Sequence, residues 1–359
     1  MIFKPKALSM AMVAICSAGS VVAGGADITL MPTEMMFEKG TYFEISSAKV
    51  TPNVTGTTVA PKISMLPSYS ANTLAFKMDL NEKVSVGFAD YLSAGIFVDY
   101  RDSSAIDAFV DLSIRSRLLA VKYQVNENVS ILGGWKHSKT SNASANVLKN
   151  PAGTLSIPSA SDSALALGVA YEKPEIALRV SGLYQSASKF DLPMTGATHG
   201  TLLNGNAGLP KSMTLRFQSG VAKDTLIFGS AHRGDWLNSQ VNFQADGDGA
   251  GPLGVVTARS SFTTTTAYTL GLGRKLSEKY AVSATYGWEK GSGATGESLL
   301  STTNGKKSLT LGGKFTSGRL TLSAGYSRIK LGDYTKTTGS YVFSNNKANV
   351  IGVKLGLSL

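Results

Sequence analysis

Apolar and polar residues alternate along this chain in segments of about ten residues, and the connections between the segments are by turns short and long. The short connections are polar and turn-like, as at 81–83 (NEK), 126–128 (NEN) and 277–279 (SEK). A closed antiparallel barrel in an outer membrane requires this rhythm, because its strands alternate between lipid and lumen and its turns are tight at one end. The pattern therefore predicts an all-β chain that forms a transmembrane barrel.

The alternation predicts about 14 strands, an even number that brings both ends of the barrel to one side of the membrane. The long connections are then extracellular. A soluble β-sandwich or solenoid also alternates, but the exchange of short and long connections favours the barrel. The strands are expected near 41–51, 68–80, 83–100, 108–124, 128–138, 163–173, 175–187, 211–222, 224–234, 262–276, 279–290, 306–316, 318–330 and 347–358.

The last strands indicate which residues face lipid. Leu320, Leu322 and Tyr326 share one parity, and serine, threonine and glycine occupy the other. Ile351 and Leu355 behave in the same way in the final strand. Because side chains in a strand point alternately to opposite faces, a slip of one residue would turn all these apolar groups into water.

Residues 1–23 have the properties of a secretory signal peptide. Lys4 and Lys6 precede a short apolar stretch, and small residues end at Ala23, after which we expect cleavage. Cys16 is the single cysteine of the chain and lies within this leader. The mature protein is therefore expected to have no disulfide, thiolate metal site or cysteine nucleophile.

Residues 24–40 do not alternate, and the barrel is expected to occupy residues 41–359. The segment contains the apolar residues Leu30, Met31, Met35, Met36 and Phe37. Flexible methionine side chains adapt to variable neighbours. We expect this segment to form a short hatch in the lumen, whose apolar residues either contact a ligand or fill space.

The net charge is +11, but the basic residues are scattered and form no consecutive block. This distribution does not indicate nucleic-acid binding, and it suits contact with anionic lipid or solutes. No spacing of histidine, cysteine or carboxylate residues indicates a metal or cofactor site. We expect no cofactor, no metal and no nucleic acid.

Several stretches resemble the FadL-type outer-membrane transporters of long-chain fatty acids and other hydrophobic compounds. They are residues 37–56 (FEKGTYFEISSAKVTPNVTG), 76–95 (FKMDLNEKVSVGFADYLSAG), Leu209-Pro210 and 334–357 (YTKTTGSYVFSNNKANVIGVKLGL). Two features depart from that family: residues 24–40 lack an Asn-Pro-Ala sequence, and the chain ends in Leu359 rather than an aromatic residue.

The resemblance implies passive transport of a hydrophobic molecule. It would be captured by extracellular loops, held above the hatch and released sideways through a kink in the third strand. The candidate kink comprises Gly87, Phe88, Ala89, Asp90 and Tyr91. Asp90 has lipid-facing parity, where a carboxylate is unfavourable, so a bulge or bend is expected there.

Seven cations have lumen-facing parity: Lys77, Lys122, Lys136, Arg179, Arg216, Lys314 and Lys354. A fatty-acid carboxylate could pair with one of them, and Arg216, in mid-barrel, is the preferred candidate. The connections 139–162 and 188–210 mix apolar residues with glycine and proline. These residues either form a capture groove or pack the connections together.

Two other function classes stay open. One is a general or solute-selective porin, and the other is a hydrolase with a site at the rim, using His137 beside Ser138 or His232 near Asp235. Neither histidine has a recognisable third partner, so we expect no enzyme activity. The expected partners are hydrophobic small molecules, outer-membrane lipid and lipopolysaccharide, and the expected form is a monomer in the outer membrane of a Gram-negative bacterium.

Overall fold

The computed structural model describes residues 25–56, 64–102, 108–146, 154–195, 202–246, 255–291, 295–296, 298, 300–301, 303–336 and 341–359. The predicted signal peptide lies outside the described residues. Three short 3-10 helices occur in the described residues, at Thr33–Phe37, Pro174–Ile176 and Trp236–Asn238. None of the described helices is long and apolar enough to cross a membrane.

The described residues otherwise form strands joined by turns. They are β1 (Tyr42–Asn53), β2 (Tyr69–Asp79), β3 (Val84–Asp99), β4 (Phe109–Gln124), β5 (Val129–Thr140), β6 (Ala143–Asn146), β7 (Leu155–Ile157), β8 (Ser161–Lys173), β9 (Leu178–Gln185), β10 (Ser188–Thr195), β11 (Leu202–Leu209), β12 (Ser212–Ala222), β13 (Thr225–Gly234), β14 (Asn242–Asp246), β15 (Val255–Arg259), β16 (Thr266–Lys275), β17 (Tyr280–Glu289), β18 (Thr295–Gly296), β19 (Lys306–Ser317), β20 (Leu320–Leu331), β21 (Tyr334–Lys336), β22 (Tyr341–Phe343) and β23 (Lys347–Ser358).

The long strands close into an antiparallel barrel of 14, as predicted. Their order around the wall is β1, β2, β3, β4, β5, β8, β9, β12, β13, β16, β17, β19, β20 and β23, and β23 pairs with β1 to close the ring. Each wall strand found corresponds to one of the segments expected from the alternation. Closure leaves no free sheet edge around the ring.

The outer face carries a belt of exposed apolar side chains, which identifies the molecule as an outer-membrane β-barrel. The predicted lipid-facing residues Leu320, Leu322, Tyr326, Ile351 and Leu355 are all exposed on this face. Aromatic rings lie within the belt: Tyr268 stacks on Trp288 at 5.1 Å between ring centroids. Amphipathic aromatic rings of this kind are typical of the membrane interface.

The long connections contain further short strands, which the sequence analysis does not predict. Strands β6, β7, β10, β11, β14 and β15 extend the sheet beyond the ring at the end with the long connections. Four apolar residues of the connections 139–162 and 188–210 are buried there: Leu155, Ile157, Leu192 and Met194. They pack the connections together, which is the second of the two predicted alternatives.

Candidate functional site

Residues 25–40 lie inside the barrel and are the first element of the candidate site. The side chains of Met31, Met35 and Met36 are buried. They pack against inward-facing side chains of β2 to β9, including Ala75, Ala89, Tyr91, Leu118 and Leu132. The irregular apolar sequence therefore fills the lumen, where no strand period is needed.

An ion-pair cluster fixes this segment to the wall. The Glu34 carboxylate contacts the guanidinium group of Arg179, and its Oε1 lies 3.6 Å from Nε of Arg216. Burial raises the pKa of Glu34, but the charges of Arg179, Arg216 and Lys354 lower it by more, so the pKa lies below its usual value. A carboxylate in this position stays ionised and compensates two buried cations.

Arg216 has the contacts of an anchor for the N-terminal segment. Besides Glu34, its guanidinium donates hydrogen bonds to Oγ1 of Thr33 at 3.3 Å and to the carbonyl of Met31 at 3.4 Å. Phe37 is likewise held by cations, with the guanidinium of Arg179 4.1 Å and the ammonium of Lys122 5.2 Å from its ring centroid. The role of Arg216 towards a ligand carboxylate stays a prediction.

The second element of the site is an interruption of the wall between β2 and β3. Their ladder runs from Asp79↔Ser85 to Thr73↔Tyr91 and ends there, although β2 begins at Tyr69 and β3 continues to Asp99. Residues 25–40 take over the edge that β3 leaves free. The amide of Ile28 donates to the carbonyl of Ser93 at 2.9 Å, and the amide of Gly95 to that of Ala26 at 3.1 Å.

This interruption, which we name the β2–β3 window, is closed by apolar contacts. Ile28, Ala71 and Leu92 are buried against one another, and Tyr69 and Phe97 pack on them with ring centroids 5.0 Å apart. Beyond the window, the amide of Asp99 donates to the carbonyl of Met65 at 2.9 Å. Opening the window would therefore separate side chains without breaking a ladder between β2 and β3.

The irregularity of the third strand lies just beyond the predicted position. The stretch from Gly87 to Tyr91 is regular and pairs on both sides, which corrects the predicted kink. The register with β4 shifts between Leu92 and Ala94, so that Ser93 is an extra residue of a β-bulge. From Tyr91 to Ile96 every residue is buried, because the strand no longer has one face in lipid.

Gly87 and Asp90 have local roles that differ from a kink. A Cβ atom on Gly87 would collide with the sulfur of Met36, so glycine permits the close approach of the N-terminal segment. Asp90 points outward, as its parity predicts, but its carboxylate contacts the guanidinium groups of Arg115 and Arg117 on β4. These ion pairs neutralise the carboxylate on the outer face. Of the other predicted kink residues, Ala89 is buried and Phe88 is half-buried on the outer face.

A cavity lies behind the window and is the third element of the site. Its lining includes Leu30, Met31, Tyr91, Lys136 and Leu183, and also polar groups from β12 and β13. Two of the five predicted hatch residues, Leu30 and Met31, therefore face the cavity. The other three pack below it against the wall or between cations.

Lys136 supplies a cation to this cavity. Its side chain is 1% exposed, and within the described part of the chain no hydrogen bond or ion pair engages its ammonium group. The Asp27 carboxylate lines the same cavity but forms no ion pair with Lys136, so an anion placed in the cavity would compensate the buried ammonium group more closely. The parity of β5 predicts that Lys136 points inward. Which residues surround its ammonium group cannot be read from the sequence, because they come from other parts of the folded chain.

Asp27 holds the start of the described chain across the same cavity. Its Oδ2 accepts a hydrogen bond from Nε1 of Trp236 at 2.8 Å and lies 3.4 Å from Nε2 of His232. Nδ1 of His232 lies 2.8 Å from Oγ1 of Thr214. His232 is thus joined to Asp27, and not to Asp235 as the hydrolase alternative supposed.

The other rim histidine also lacks the predicted partner. Nδ1 of His137 lies 3.2 Å from Oγ of Ser163 on the outer face, whereas Ser138 points inward to Ser116. Asp235 accepts hydrogen bonds from Asn238 and Thr264 and lies near Lys211. Neither predicted catalytic pair forms.

No family model matches the chain, and no curated protein matches it. Solved structures do. A Pseudomonas aeruginosa FadL homologue is similar with a TM-score of 0.71 at 11% identity, over 95% of this chain and 97% of that one. The Pseudomonas putida toluene transporter TodX has a TM-score of 0.65 at 13% identity, over 91% and 92%. The Ralstonia pickettii toluene transporter TbuX has a TM-score of 0.62 at 12% identity, over 96% of each chain.

These similarities extend over nearly the whole of each chain, so the chain has the fold of FadL-type transporters. The fold places it among outer-membrane β-barrels with 14 strands in the wall.

Proposed function

We propose that this protein is a passive transporter for hydrophobic molecules across the outer membrane. The observation that carries the proposal is the juxtaposition of the lumen cavity with the β2–β3 window. Among the seams between described wall strands that border the cavity, only this one loses its ladder, and it is closed by apolar side chains together with backbone hydrogen bonds from residues 26–28 to β3. The similarity to a FadL homologue and to two toluene transporters supports the same function.

A hydrophobic ligand would enter at the extracellular end, occupy the cavity and leave through the window into the hydrocarbon of the outer leaflet. An acyl chain gains about 0.8 kcal/mol for each methylene removed from water. A path from cavity to lipid keeps those methylenes dry. Residues 26–29 lie between the cavity and the window, so their displacement would be the opening step.

The lining of the cavity mixes apolar and polar groups, and we expect it to accept a ligand with an apolar body and an acidic end. Leu30, Met31 and Leu183 supply apolar contacts, and Lys136 supplies the counter-charge. Long-chain fatty acids have both features. Aromatic hydrocarbons such as toluene would use the apolar contacts alone.

The proposal is tested by uptake into cells that lack their own transporters of this kind. The mature protein is expressed behind its own leader, and accumulation of labelled oleate and of labelled toluene is compared with an empty-vector strain. Uptake of either compound above that strain supports transport, and the ratio of the two identifies the preferred class. No uptake of either compound from correctly folded protein in the outer membrane would overturn the proposal.

Single-channel conductance separates this proposal from an aqueous porin. The packed N-terminal segment and its ion pairs with Arg179 and Arg216 leave little room for ions, so we expect no large steady current in planar bilayers. A large and steady current would favour the porin.

A further inference from the structure

A row of lysine residues lies on the outer face of the barrel, on strands that β1 and β2 separate from the window. Lys307 on β19 pairs in register with Lys330 on β20, and Lys330 pairs in register with Lys347 on β23. All three side chains are exposed and have outward parity. Adjacent strands are about 4.8 Å apart, so the three ammonium groups originate within roughly 10 Å of one another.

A fourth cation extends this row towards the membrane. Arg328 lies two residues before Lys330 on β20, and its exposed side chain shares the outward face. We name these four residues the β19–β23 basic row. Like charges directly opposite each other destabilise a sheet, so the row needs an anion to offset its repulsion.

The described residues do not supply that anion. Within them, no ion pair or hydrogen bond joins a side chain of the basic row to an acidic group. Glu289 points inward to Lys306, and Asp333 accepts a hydrogen bond from the amide of Asn345.

Several other outward-facing cations have polar partners. Asp90 contacts Arg115 and Arg117, Asp235 lies 3.5 Å from Lys211, and Arg233 donates to Thr266. Lys49 and Lys139 are also exposed without an ion pair among the described residues, but neither lies opposite another unpaired cation, so the basic row differs from the rest of the described outer face in clustering its unpaired charge.

The position of the row indicates what the anion is attached to. The row lies at the upper border of the apolar belt, at the end with the long connections. Immediately below it the outer face is apolar and exposed, with Leu309, Tyr326 and Ile351 on the same three strands. A ligand that satisfies both regions has phosphate groups at the level of the row and acyl chains that descend over these three residues.

We propose that the β19–β23 basic row binds the phosphorylated glycolipid of the outer leaflet, with its phosphates on Lys307, Lys330 and Lys347 and its acyl chains on the apolar strip below. Ammonium and guanidinium groups bind phosphate through charge-assisted hydrogen bonds. The site is separate from the proposed transport path, because the strands of the row do not border the β2–β3 window.

The test measures binding of purified lipid A to the folded barrel in detergent by native mass spectrometry. The variant Lys307→Gln/Lys330→Gln/Lys347→Gln removes the row. The matched control Lys139→Gln/Lys211→Gln/Arg233→Gln removes the same charge from outward positions on other strands. We expect binding about tenfold or more weaker in the first variant and unchanged in the control. Lipid A stripped of its phosphates should bind the wild type as weakly as intact lipid A binds the first variant.

Four results would overturn the proposal: equal binding by wild type and the row variant, an equal loss in the control, equal binding of phosphate-free lipid A, or equal binding of phosphatidylglycerol. Displacement of the lipid by inorganic phosphate at a comparable concentration would also count against it, since the acyl chains would then contribute nothing. If the triple variant fails to fold, as judged by heat-dependent migration on a gel, Lys330→Gln alone removes the centre of the row and should still weaken binding measurably.

Discussion

Lys136 is the residue whose replacement distinguishes ligands by their charge. Its buried ammonium group borders the cavity and has no hydrogen bond or ion pair among the described residues, although the Asp27 carboxylate lines the same cavity. Hydrogen bonds to charged groups contribute about 1.5–3 kcal/mol, so Lys136→Met should weaken oleate binding by about tenfold or more. Toluene binding should be unchanged or stronger, and isothermal titration in detergent would measure both.

Lys122→Met is the control for Lys136, because Lys122 also points inward but contacts the ring of Phe37. A loss of oleate binding in this control equal to that of Lys136→Met would indicate a general effect of lumen charge. Equal losses of oleate and toluene binding in Lys136→Met would contradict a charge-specific role.

Glu34 tests whether the N-terminal segment is held by its ion pairs. Glu34→Gln leaves the buried cations Arg179 and Arg216 without their carboxylate, and breaking a buried pair in this way costs about 3–5 kcal/mol. We expect the segment to leave the lumen more often, with transient ion currents in planar bilayers. Glu38→Gln removes the same charge at a residue that has no ion pair among the described residues, and this variant should show no such ion currents. Equal currents in both variants would rule out the role of Glu34 as an anchor.

Acid should weaken the same anchor. The pKa of Glu34 in the folded protein lies below the ordinary pKa of a glutamate. The ion pairs of Glu34 therefore stabilise the position of the N-terminal segment fully at a pH above the ordinary pKa. This stabilisation is lost as the pH falls through the pKa of the folded protein. Ion currents through the wild type should therefore increase in strongly acidic solution. The Glu34→Gln variant should lack this dependence, and an identical acid response in both proteins would contradict the assignment.

For individual residues, the sequence predicts on which face of the strand they lie, but not which residues they contact. The alternation correctly turns Lys136 and Arg216 inward and Asp90 outward. It does not reveal that Arg216 meets Glu34, or that Asp27 reaches His232 and Trp236, because those partners are about 180 to 210 positions apart in the sequence.

Within β3, we expect the bulge at Ser93, rather than the charge of Asp90, to determine where the ladder with β2 ends. Ser93 is the extra residue at which the β3–β4 register shifts. Deleting Ser93 would let β3 continue in one register, with its alternation restored towards β2. We expect lower uptake of a transported ligand, whereas Asp90→Val should leave β3 interrupted and uptake largely unchanged.

The two variants are compared by uptake into whole cells and by hydrogen exchange of the amides on β2 and β3. Slower exchange at the β2–β3 edge together with lost uptake is expected for the deletion alone. If Asp90→Val lowers uptake as much as the deletion does, the window depends on the charge at Asp90 and not on the bulge.

Strands were predictable because their two-residue period records which face meets lipid, and each of the 14 wall strands was expected near its observed position. The bulge was expected only approximately. The sequence shows a carboxylate with lipid-facing parity, but the carboxylate is neutralised by Arg115 and Arg117, and the register changes three residues later. The strands in the long connections were missed because their core is formed by contacts among connections that are distant in sequence.

The whole molecule combines a closed barrel, an N-terminal segment inside it and the β2–β3 window in its wall. Ladders join all neighbouring strands of the described wall, and among these seams only the β2–β3 ladder ends while both strands continue. A passive transporter of hydrophobic molecules needs such a place, because a continuous wall would force the ligand through water.

Exit of the ligand through the β2–β3 window is tested most directly by locking the window with a disulfide. The sequence contains one cysteine, Cys16, which lies in the predicted signal peptide, and Asn72→Cys/Leu92→Cys places a pair next to the last partners of the β2–β3 ladder, Thr73↔Tyr91. The control Ala324→Cys/Val353→Cys links partners in the continuous β20–β23 ladder. Uptake of the transported compound is measured with each pair oxidised and again after reduction. We expect oxidation to abolish uptake in the first protein, reduction to restore it, and the control to transport in both states. Full uptake with the window locked would show that the ligand does not leave through it.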